Sequence, residues 1–244
     1  MARRRANARR DEVIHEDDDL LVINKAAEEL EDEYHLAGSM GAGSAAPEVT
    51  LTIAAYQLQP QVSGAIVLCK SEEAFAKLTA ASETPLSITC LAIVRGHPFE
   101  TSGTIEKRIS RRGQDKLKIE ESGKPATLNW RLVDRFIAFA VLECDPIPPV
   151  PDHVRLLLQS AGMPLAVDRA YGGGDKLMLS SFKAGYKSSP RHPEFPLIQR
   201  VSMHVKCVSF THPTTGHSLN FEATVPKDFR ATLNQLDRFG RTPK

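Results

Sequence analysis

Residues 56–78 read YQLQPQVSGAIVLCKSEEAFAKL, and this stretch decides the fold that the chain is expected to adopt. Its middle part, residues 64–69, is a continuous apolar run that is short enough to predict a buried strand. The sequence Ser71-Glu72-Glu73 then has the capping character of a helix start, and the helix is predicted to run to about Ser82. The stretch therefore predicts a buried strand that is followed at once by a helix.

Outward from this stretch the chain is rich in further strand-like runs. Residues 13–14 and 20–23 flank an acidic turn and predict a hairpin. Later apolar runs predict five more strands, at 88–94, 126–133, 138–142, 203–210 and 219–223. Two more helices are predicted at 152–161, with Asp152 as N-cap and Gly162 as C-cap, and at 227–236. Many strands with few helices indicate an α+β fold with a central mixed, largely antiparallel sheet.

Length and composition predict one folded domain with two short tails. A chain of 244 residues with 41% hydrophobic content can bury one sizeable core. We expect a basic flexible tail at 1–10, a domain at 11–237 that contains a small-residue loop at 37–47, and a C-terminal tail at 238–244. No apolar run approaches the roughly 18 residues that a membrane helix requires, so neither membrane insertion nor secretion is expected.

Cysteine and histidine usage gives no sign of a disulfide or metal site. The four cysteines are far apart and form no C-x-x-C pair, which predicts reduced thiols in the cytoplasm, although an organelle matrix is also compatible. The eight histidines show no metal-ligand spacing such as H-E-x-x-H. We expect no metal.

Charge gives no global argument for nucleic-acid binding, because the net charge is only +1 and the pI is near 7.7. Any RNA site must then be a local basic patch. The two possible patches are the arginines of residues 3–10 and the group Lys107, Arg108, Arg111 and Arg112. The alternative is that both runs are simply solvated surface.

Six segments, in this order, resemble the RluA-type RNA pseudouridine synthases from about residue 11 to residue 236. They are VIHEDDDLLVINK (13–25), the stretch at 56–78, LAIVRGHP (91–98), SGKPAT (122–127), GMPLAVDRAYGG (162–173) and VSFTHPTTGHSLNFEATVPKDF (208–229). The resemblance implies the catalytic-domain fold of that family, with an RNA-binding cleft and chemistry that needs no cofactor.

The departures from the family pattern fall at the catalytic positions. The family's motif, His-Arg-Leu-Asp-x-x-Thr-Ser-Gly, matches residues 56–64, so Gln59 stands in place of the aspartate that attacks the flipped-out uridine in that family. A glutamine amide is neutral and a poor nucleophile. Cys90 likewise replaces the family's active-site tyrosine. We therefore predict that no catalytic residue remains and that Gln59, Cys90 and Arg155 are degenerate equivalents.

Arg155 is the one member of the family's Thr-Gly-Arg-Thr-His-Gln-Ile-Arg block that survives at residues 148–155. In the family this arginine pairs with the catalytic aspartate, so here it should lie with Gln59 on the wall of a cleft and must find another anion. Two partners are possible, Asp152 on the same helix and an RNA phosphate. We favour the phosphate, because Asp152 at the N-cap would be engaged by backbone amides.

Three function hypotheses follow. The first is a non-catalytic protein that binds structured ribosomal RNA, in ribosome assembly or as a particle component, with particle proteins as possible further partners. Its expected RNA contacts are Gln57, Gln59, Ser63, Lys107, Arg108, Arg111, Arg112 and Arg155. The second is an active isomerase with a displaced carboxylate, Asp152. The third is a protein-interaction module in which the cleft has no role. Gln57 and Gln59 could also be ordinary loop residues, and Cys90 a buried thiol.

Overall fold

A computed structural model describes residues 13–28, 52–80, 85–111, 116–187, 189 and 193–241. Within these residues the chain forms eleven strands and three α-helices. The strands are β1 (Val13–Glu16), β2 (Leu20–Lys25), β3 (Ile53–Ala54), β4 (Ser63–Cys69), β5 (Ser87–Arg95), β6 (Ser102–Ser110), β7 (Lys118–Ile119), β8 (Lys124–Arg135), β9 (Phe139–Ile147), β10 (Met203–Thr211) and β11 (Ser218–Glu222). The helices are α1 (Glu72–Ala80), α2 (Pro151–Ser160) and α3 (Lys227–Phe239). None of these helices is long and apolar enough to cross a membrane.

The chain divides into two compact units, and the single domain expected at 11–237 stays a prediction. The first unit is Met1–Ile88 with Val205–Thr224, and the second is Thr89–His204 with Val225–Lys244. Two of the three divisions therefore fall within a strand, β5 or β10, and the third lies between β11 and α3. The predicted tail at 1–10 and loop at 37–47 lie outside the described residues. At the other end, α3 continues to Phe239 and Arg241 donates a hydrogen bond to Asp134, so folded structure extends past residue 238.

The first unit contains the strand order β1-β2-β4-β10, with β3 paired to β4 and β11 paired to β10. The predicted hairpin is confirmed, since β1 pairs antiparallel with β2. All seven residues of β4 are buried, which explains why its sequence is continuously apolar rather than alternating.

Gly64 is required where β4 approaches β10. A Cβ at this position would lie 2.2 Å from the Val205 carbonyl oxygen, and the Gly64 φ of +129° is one that other residues rarely adopt. The glycine thus lets the strand that follows the Gln59 loop pack directly against a neighbouring backbone.

A side-chain clamp centred on Asp17 joins the β1–β2 turn to the turn after β10. The Asp17 carboxylate accepts hydrogen bonds from His15 Nε2 (2.6 Å) and His212 Nε2 (3.1 Å), and from the amides of Asp19 and Leu20. Partial burial alone would raise the Asp17 pKa, but these hydrogen bonds outweigh it and lower the pKa to about 2.

The second unit contains an antiparallel sheet in the order β5-β9-β8-β6-β7. A hydrophobic core joins this sheet to α3, through Leu91, Ile93, Val141, Phe229 and Leu236 among others. Helix α2 packs against β9, β8 and β6. Helix α2 thereby positions Asp152 and Arg155 at one end of the unit.

In the second unit one strand was missed and one helix start was predicted wrongly. Strand β6 was not predicted, because Lys107 and Arg108 were considered only as part of a basic patch, either an RNA site or solvated surface. Helix α2 starts at Pro151 with Val150 as its N-cap, so Asp152 lies inside the first turn and is not the N-cap. Proline at the first helical position needs no amide donor, which allows the earlier start.

We predict that Asp17→Asn lowers the free energy of unfolding by about 1–2 kcal/mol at pH 7. The Asp17 pKa is lower in the folded chain, about 2, than its ordinary 3.8, so the charged form stabilises the fold. This stabilisation is complete above about pH 4 and is lost as the pH falls towards 2. Urea unfolding from pH 7 to pH 3 should show the difference between wild type and variant narrowing to about half. The control is Asp18→Asn, which changes an exposed neighbour. If the difference in unfolding free energy between wild type and Asp17→Asn stays constant down to pH 3, the prediction is contradicted.

Candidate functional site

The loop that carries Gln59 lies in the first unit, between the short strand β3 and β4. Its side chains alternate in burial: Tyr56 and Leu58 are in the core, Gln57 is exposed and Gln59 is half-buried. The Gln59 carbonyl accepts a hydrogen bond from the Val62 amide at 2.9 Å, which closes a turn directly before β4. Gln57 and Gln59 are therefore accessible, whereas Ser63 is only 1% exposed, so the expected RNA contact by its side chain is not supported.

A buried lysine holds this loop in place through hydrogen bonds to backbone carbonyls. Lys25, the last residue of β2, is fully buried, and its ammonium donates to the carbonyls of Ala26 (3.0 Å) and Pro60 (3.4 Å). A buried charge must be compensated by such contacts. This role of Lys25 was not predicted, because the residue was considered only as part of the family-like segment 13–25, although a charged residue at the end of an apolar strand is a signal for it.

Glu28 contributes a second anchor and a strained backbone. Its amide donates to the Pro60 carbonyl at 2.6 Å, and its φ of 68° is the only positive φ of a non-glycine residue in the described part of the chain. The left-handed conformation costs roughly 1 kcal/mol for a residue with a Cβ. Together with Lys25, this contact fixes the backbone beside Gln59.

Arg155 lies on α2 in the second unit, where its guanidinium is fully engaged. Its Nε and Nη2 donate to the two carboxylate oxygens of Asp168 at 2.7 and 2.8 Å, and its Nη1 donates to Asp152 at 3.1 Å. Arg155 is 3% exposed and Asp168 1%. Burial alone would lower the Arg155 pKa, but the two carboxylates raise it. The expectation that Arg155 is held open for a phosphate is therefore wrong, because Asp168 satisfies it in a bidentate pair.

Asp152 links this buried pair to a surface arginine. Its second oxygen accepts from Arg111 Nη2 at 2.8 Å, and the Arg111 side chain is 39% exposed. Asp152 is not the N-cap of α2, because the helix begins at Pro151 with Val150 as its N-cap. Four side chains of alternating charge are therefore connected in series by hydrogen bonds: Arg111, Asp152, Arg155 and Asp168.

An aromatic ring and an imidazole complete the cluster. The Arg155 guanidinium lies 4.9 Å from the ring centre of Tyr171, whose hydroxyl accepts from the Leu117 amide at 3.1 Å. His153 follows Asp152 on α2, and its Nδ1 is buried without a hydrogen-bond partner. Burial lowers the pKa of His153, so the neutral imidazole is favoured at pH 7.

Gln59 and Arg155 lie in different units, Gln59 in the first and Arg155 in the second. Their predicted place on a common cleft wall stays a prediction. Cys90 is fully buried on β5 opposite Cys144 of β9, and burial raises the pKa of its thiol well above the ordinary value. The thiol is therefore unreactive, which agrees with the interpretation of Cys90 as a buried thiol.

The basic run on β6 is divided by the pleat of the strand. Lys107 and Arg108 are both exposed, but successive side chains of a strand point to opposite faces. Lys107 pairs with buried Ala126, and Arg108 pairs with exposed Pro125. Lys107 therefore shares its face with Ile109, whereas Arg108 lies on the other face. Arg112 lies outside the described residues.

The Asp17 clamp also brings together three residues of the kind that bind metals, Asp17, Asp19 and His212. The hydrogen-bond pattern does not favour a metal there. His212 Nδ1 accepts from the amides of Thr214 and Thr215 at 3.2 and 3.1 Å, which places the ring proton on Nε2. A metal on Nε2 would have to displace that proton while Nδ1 still faced two donors, so the cluster fits a structural clamp.

Comparison with known proteins finds similarity along nearly the whole chain. It is 25% identical over 238 residues to ribosomal large subunit pseudouridine synthase C of Salmonella typhi, which covers 93% of the chain and 70% of that protein. It is 28% identical over 240 residues to ribosomal large subunit pseudouridine synthase D of Neisseria meningitidis serogroup B, which covers 92% of the chain and 61% of that protein. The chain thus spans between three fifths and seven tenths of the length of these relatives. No family model matches it.

Two solved human structures have the same fold. Human RNA pseudouridylate synthase domain containing 4 superposes with a TM-score of 0.65 at 17% identity, covering 93% of both chains. Human RNA pseudouridylate synthase domain containing 1 gives a TM-score of 0.61 at 18% identity, covering 96% of both. These likenesses confirm the predicted α+β fold class.

We predict that Asp168→Asn lowers the free energy of unfolding by about 3 kcal/mol or more, because it leaves a buried guanidinium with half of its charge compensation. Urea unfolding at pH 7 measures the change. The control is Asp175→Asn, which breaks the exposed Arg169–Asp175 pair and should cost less than about 0.5 kcal/mol. Equal costs for the two variants would show that the Arg155 pair is not structural.

Proposed function

We propose that this chain, which belongs to the RluA family of RNA pseudouridine synthases, binds structured ribosomal RNA without isomerising uridine. The observation that carries the proposal is Gln59 on a loop whose anchors, Lys25 and Gly64, are intact. The fold that presents a nucleophile is present, and the residue presented is a neutral amide.

The RNA part of the proposal is supported by the names of the relatives and by the local charge. The bacterial relatives are named as ribosomal large subunit pseudouridine synthases. Residues 104–127 hold seven Lys or Arg and four Asp or Glu, a net charge of +3 in a chain whose total is +1. The described residues of this segment hold six of these Lys or Arg and three of the Asp or Glu and lie on or next to β6 and β7, so positive charge is concentrated at one edge of the second unit's sheet. Such a patch is the electrostatic footprint of phosphate binding.

The displaced-carboxylate hypothesis receives less support. Both oxygens of Asp152 accept hydrogen bonds from arginines, and Asp152 is 6% exposed. A nucleophile needs a free oxygen that can reach the base. Glu28 is a further carboxylate to test, because it is exposed and its backbone is joined to the Gln59 loop.

The place of action is the finer part of the proposal. We infer that the chain acts in ribosome assembly or as a component of a ribosomal particle, in the cytoplasm or an organelle matrix, with particle proteins as further partners. A protein-interaction role without RNA is the competing possibility. The salt dependence of binding separates the two, because only phosphate contacts release condensed counterions.

We predict that the purified chain forms no pseudouridine in ribosomal RNA transcripts, and that Gln59→Asp alone does not restore activity, since Cys90 and Pro148 to Pro151 also differ from the family pattern. Mass spectrometry of digested RNA measures the product. Site-specific product at enzyme-like turnover from the wild type would contradict the proposal, and loss of that product in Glu28→Gln or Asp152→Asn would identify the carboxylate responsible.

We predict that Lys107→Ala weakens RNA binding about 3- to 10-fold at 0.1 M salt and reduces the salt slope by about one unit. Lys107 lies on the β6 face that it shares with Ile109, and Arg111 follows the end of this strand. Arg108→Ala is the matched control, because it removes one charge from the opposite face. Filter binding across a salt series measures both. Equal losses in the two variants would contradict a contact with one face, and an affinity that does not depend on salt would contradict RNA binding itself.

A further inference from the structure

The Asp152 carboxylate lies between two guanidinium groups that approach it from different elements. Arg155 of α2 donates to one oxygen at 3.1 Å, and Arg111, which follows β6, donates to the other at 2.8 Å. One of these arginines is buried and the other is 39% exposed. The carboxylate therefore occupies a two-arginine anion site that opens towards solvent on the Arg111 side.

Arg155 does not depend on Asp152 alone for its charge compensation. Asp168 already accepts from both Nε and Nη2 of Arg155, and the Asp168 carboxylate also accepts from the amides of Ala170 and Tyr171. The Arg155–Asp168 pair is thus fixed independently. Asp152 binds the remaining donor, Nη1, together with Arg111.

Two guanidinium donors that converge on a pair of oxygens are the arrangement that binds phosphate as well as carboxylate. The imidazole next to Asp152 adds hydrogen-bonding capacity, because His153 Nδ1 is buried without a partner. His153 is close enough to Asp152 and Arg111 for both charges to act on it.

We propose that Arg111 and Arg155 form a phosphate-binding site that Asp152 occupies as an internal anion, so that this part of the RNA surface is closed by the protein's own carboxylate. The ligand class is the phosphodiester of RNA, and to that extent the inference rests on the proposed function. Asp152 and a phosphate of the RNA backbone then compete for the Arg111 guanidinium. The Asp152 carboxylate therefore lowers the affinity of the chain for RNA.

The first test uses inorganic phosphate and does not depend on RNA binding. Asp152→Ala removes the carboxylate and leaves space between the two arginines. We expect about 10 mM phosphate to raise the melting temperature of Asp152→Ala more than that of the wild type, relative to KCl of equal ionic strength, since a ligand that binds only the folded state stabilises it. Asp175→Ala is the matched control, because it also removes a carboxylate that pairs with an arginine, Arg169. Equal phosphate effects in Asp152→Ala and Asp175→Ala would overturn the proposal.

The second test uses RNA and a double variant. Asp152→Asn keeps the shape of the side chain and should bind RNA about 3- to 10-fold more tightly than the wild type, with a salt slope steeper by about one unit. Asp175→Asn should change the affinity less than twofold, and adding Arg111→Gln to Asp152→Asn should abolish the gain. A gain in RNA affinity that survives the loss of Arg111 would overturn the inference.

If Asp152→Ala does not fold, RNA binding by the isosteric variant Asp152→Asn decides the question. RNA binding that is absent in the wild type would refute the proposed function, whereas wild-type binding without a gain in Asp152→Asn would refute the inference alone.

Discussion

The bidentate pair between Arg155 and Asp168 is the contact on which the α2 end of the second unit depends. The guanidinium is nearly inaccessible to water, and an uncompensated charge there would be far more costly than any surface pair. Asp168 also accepts the amides of Ala170 and Tyr171, so the same carboxylate fixes the turn that leads into Tyr171. Tyr171 in turn covers the guanidinium and accepts from the Leu117 amide. One ion pair therefore connects helix α2, the turn after residue 168 and the segment that precedes β7.

In the first unit, the residues that hold the Gln59 loop in place are different from the residue that the family uses for catalysis. Lys25 and Gly64 hold the loop and the strand after it in place by carbonyl contacts and by the absence of a side chain, and neither feature requires a carboxylate at residue 59. The loop can therefore keep its conformation when its central residue becomes glutamine. Glu28 beside this loop adopts a positive φ, a strained conformation for a residue with a Cβ, and its amide donates to the Pro60 carbonyl of the loop.

Hydrophobic pattern was sufficient to predict most of the fold. The hairpin β1–β2, the buried strand β4 and helix α1 follow from apolar runs and caps, and the order of six segments gave the resemblance to the RluA-type synthases. Strand β6 was missed because three consecutive charged residues conceal its alternation, which becomes visible only when β8 is paired beside it. The partner of Arg155 was also missed. Asp168 is thirteen residues away in sequence, and no local pattern predicts that a turn returns it to the guanidinium. The preference for a phosphate failed for a specific reason, the start of α2 at Pro151, which frees Asp152 from the N-cap and directs it to the arginines.

The central claim is that the chain binds ribosomal RNA and leaves its uridines unchanged. The most direct measurement is crosslinking of the tagged chain to RNA in its own cells, with pseudouridine mapped on the same RNA in cells that have and lack the chain. The account predicts crosslinks concentrated in ribosomal RNA, and no pseudouridine at or near them that depends on the chain. A pseudouridine at a crosslinked site that disappears when the chain is removed would contradict the claim of inactivity. The absence of RNA crosslinks above background would contradict the claim of RNA binding.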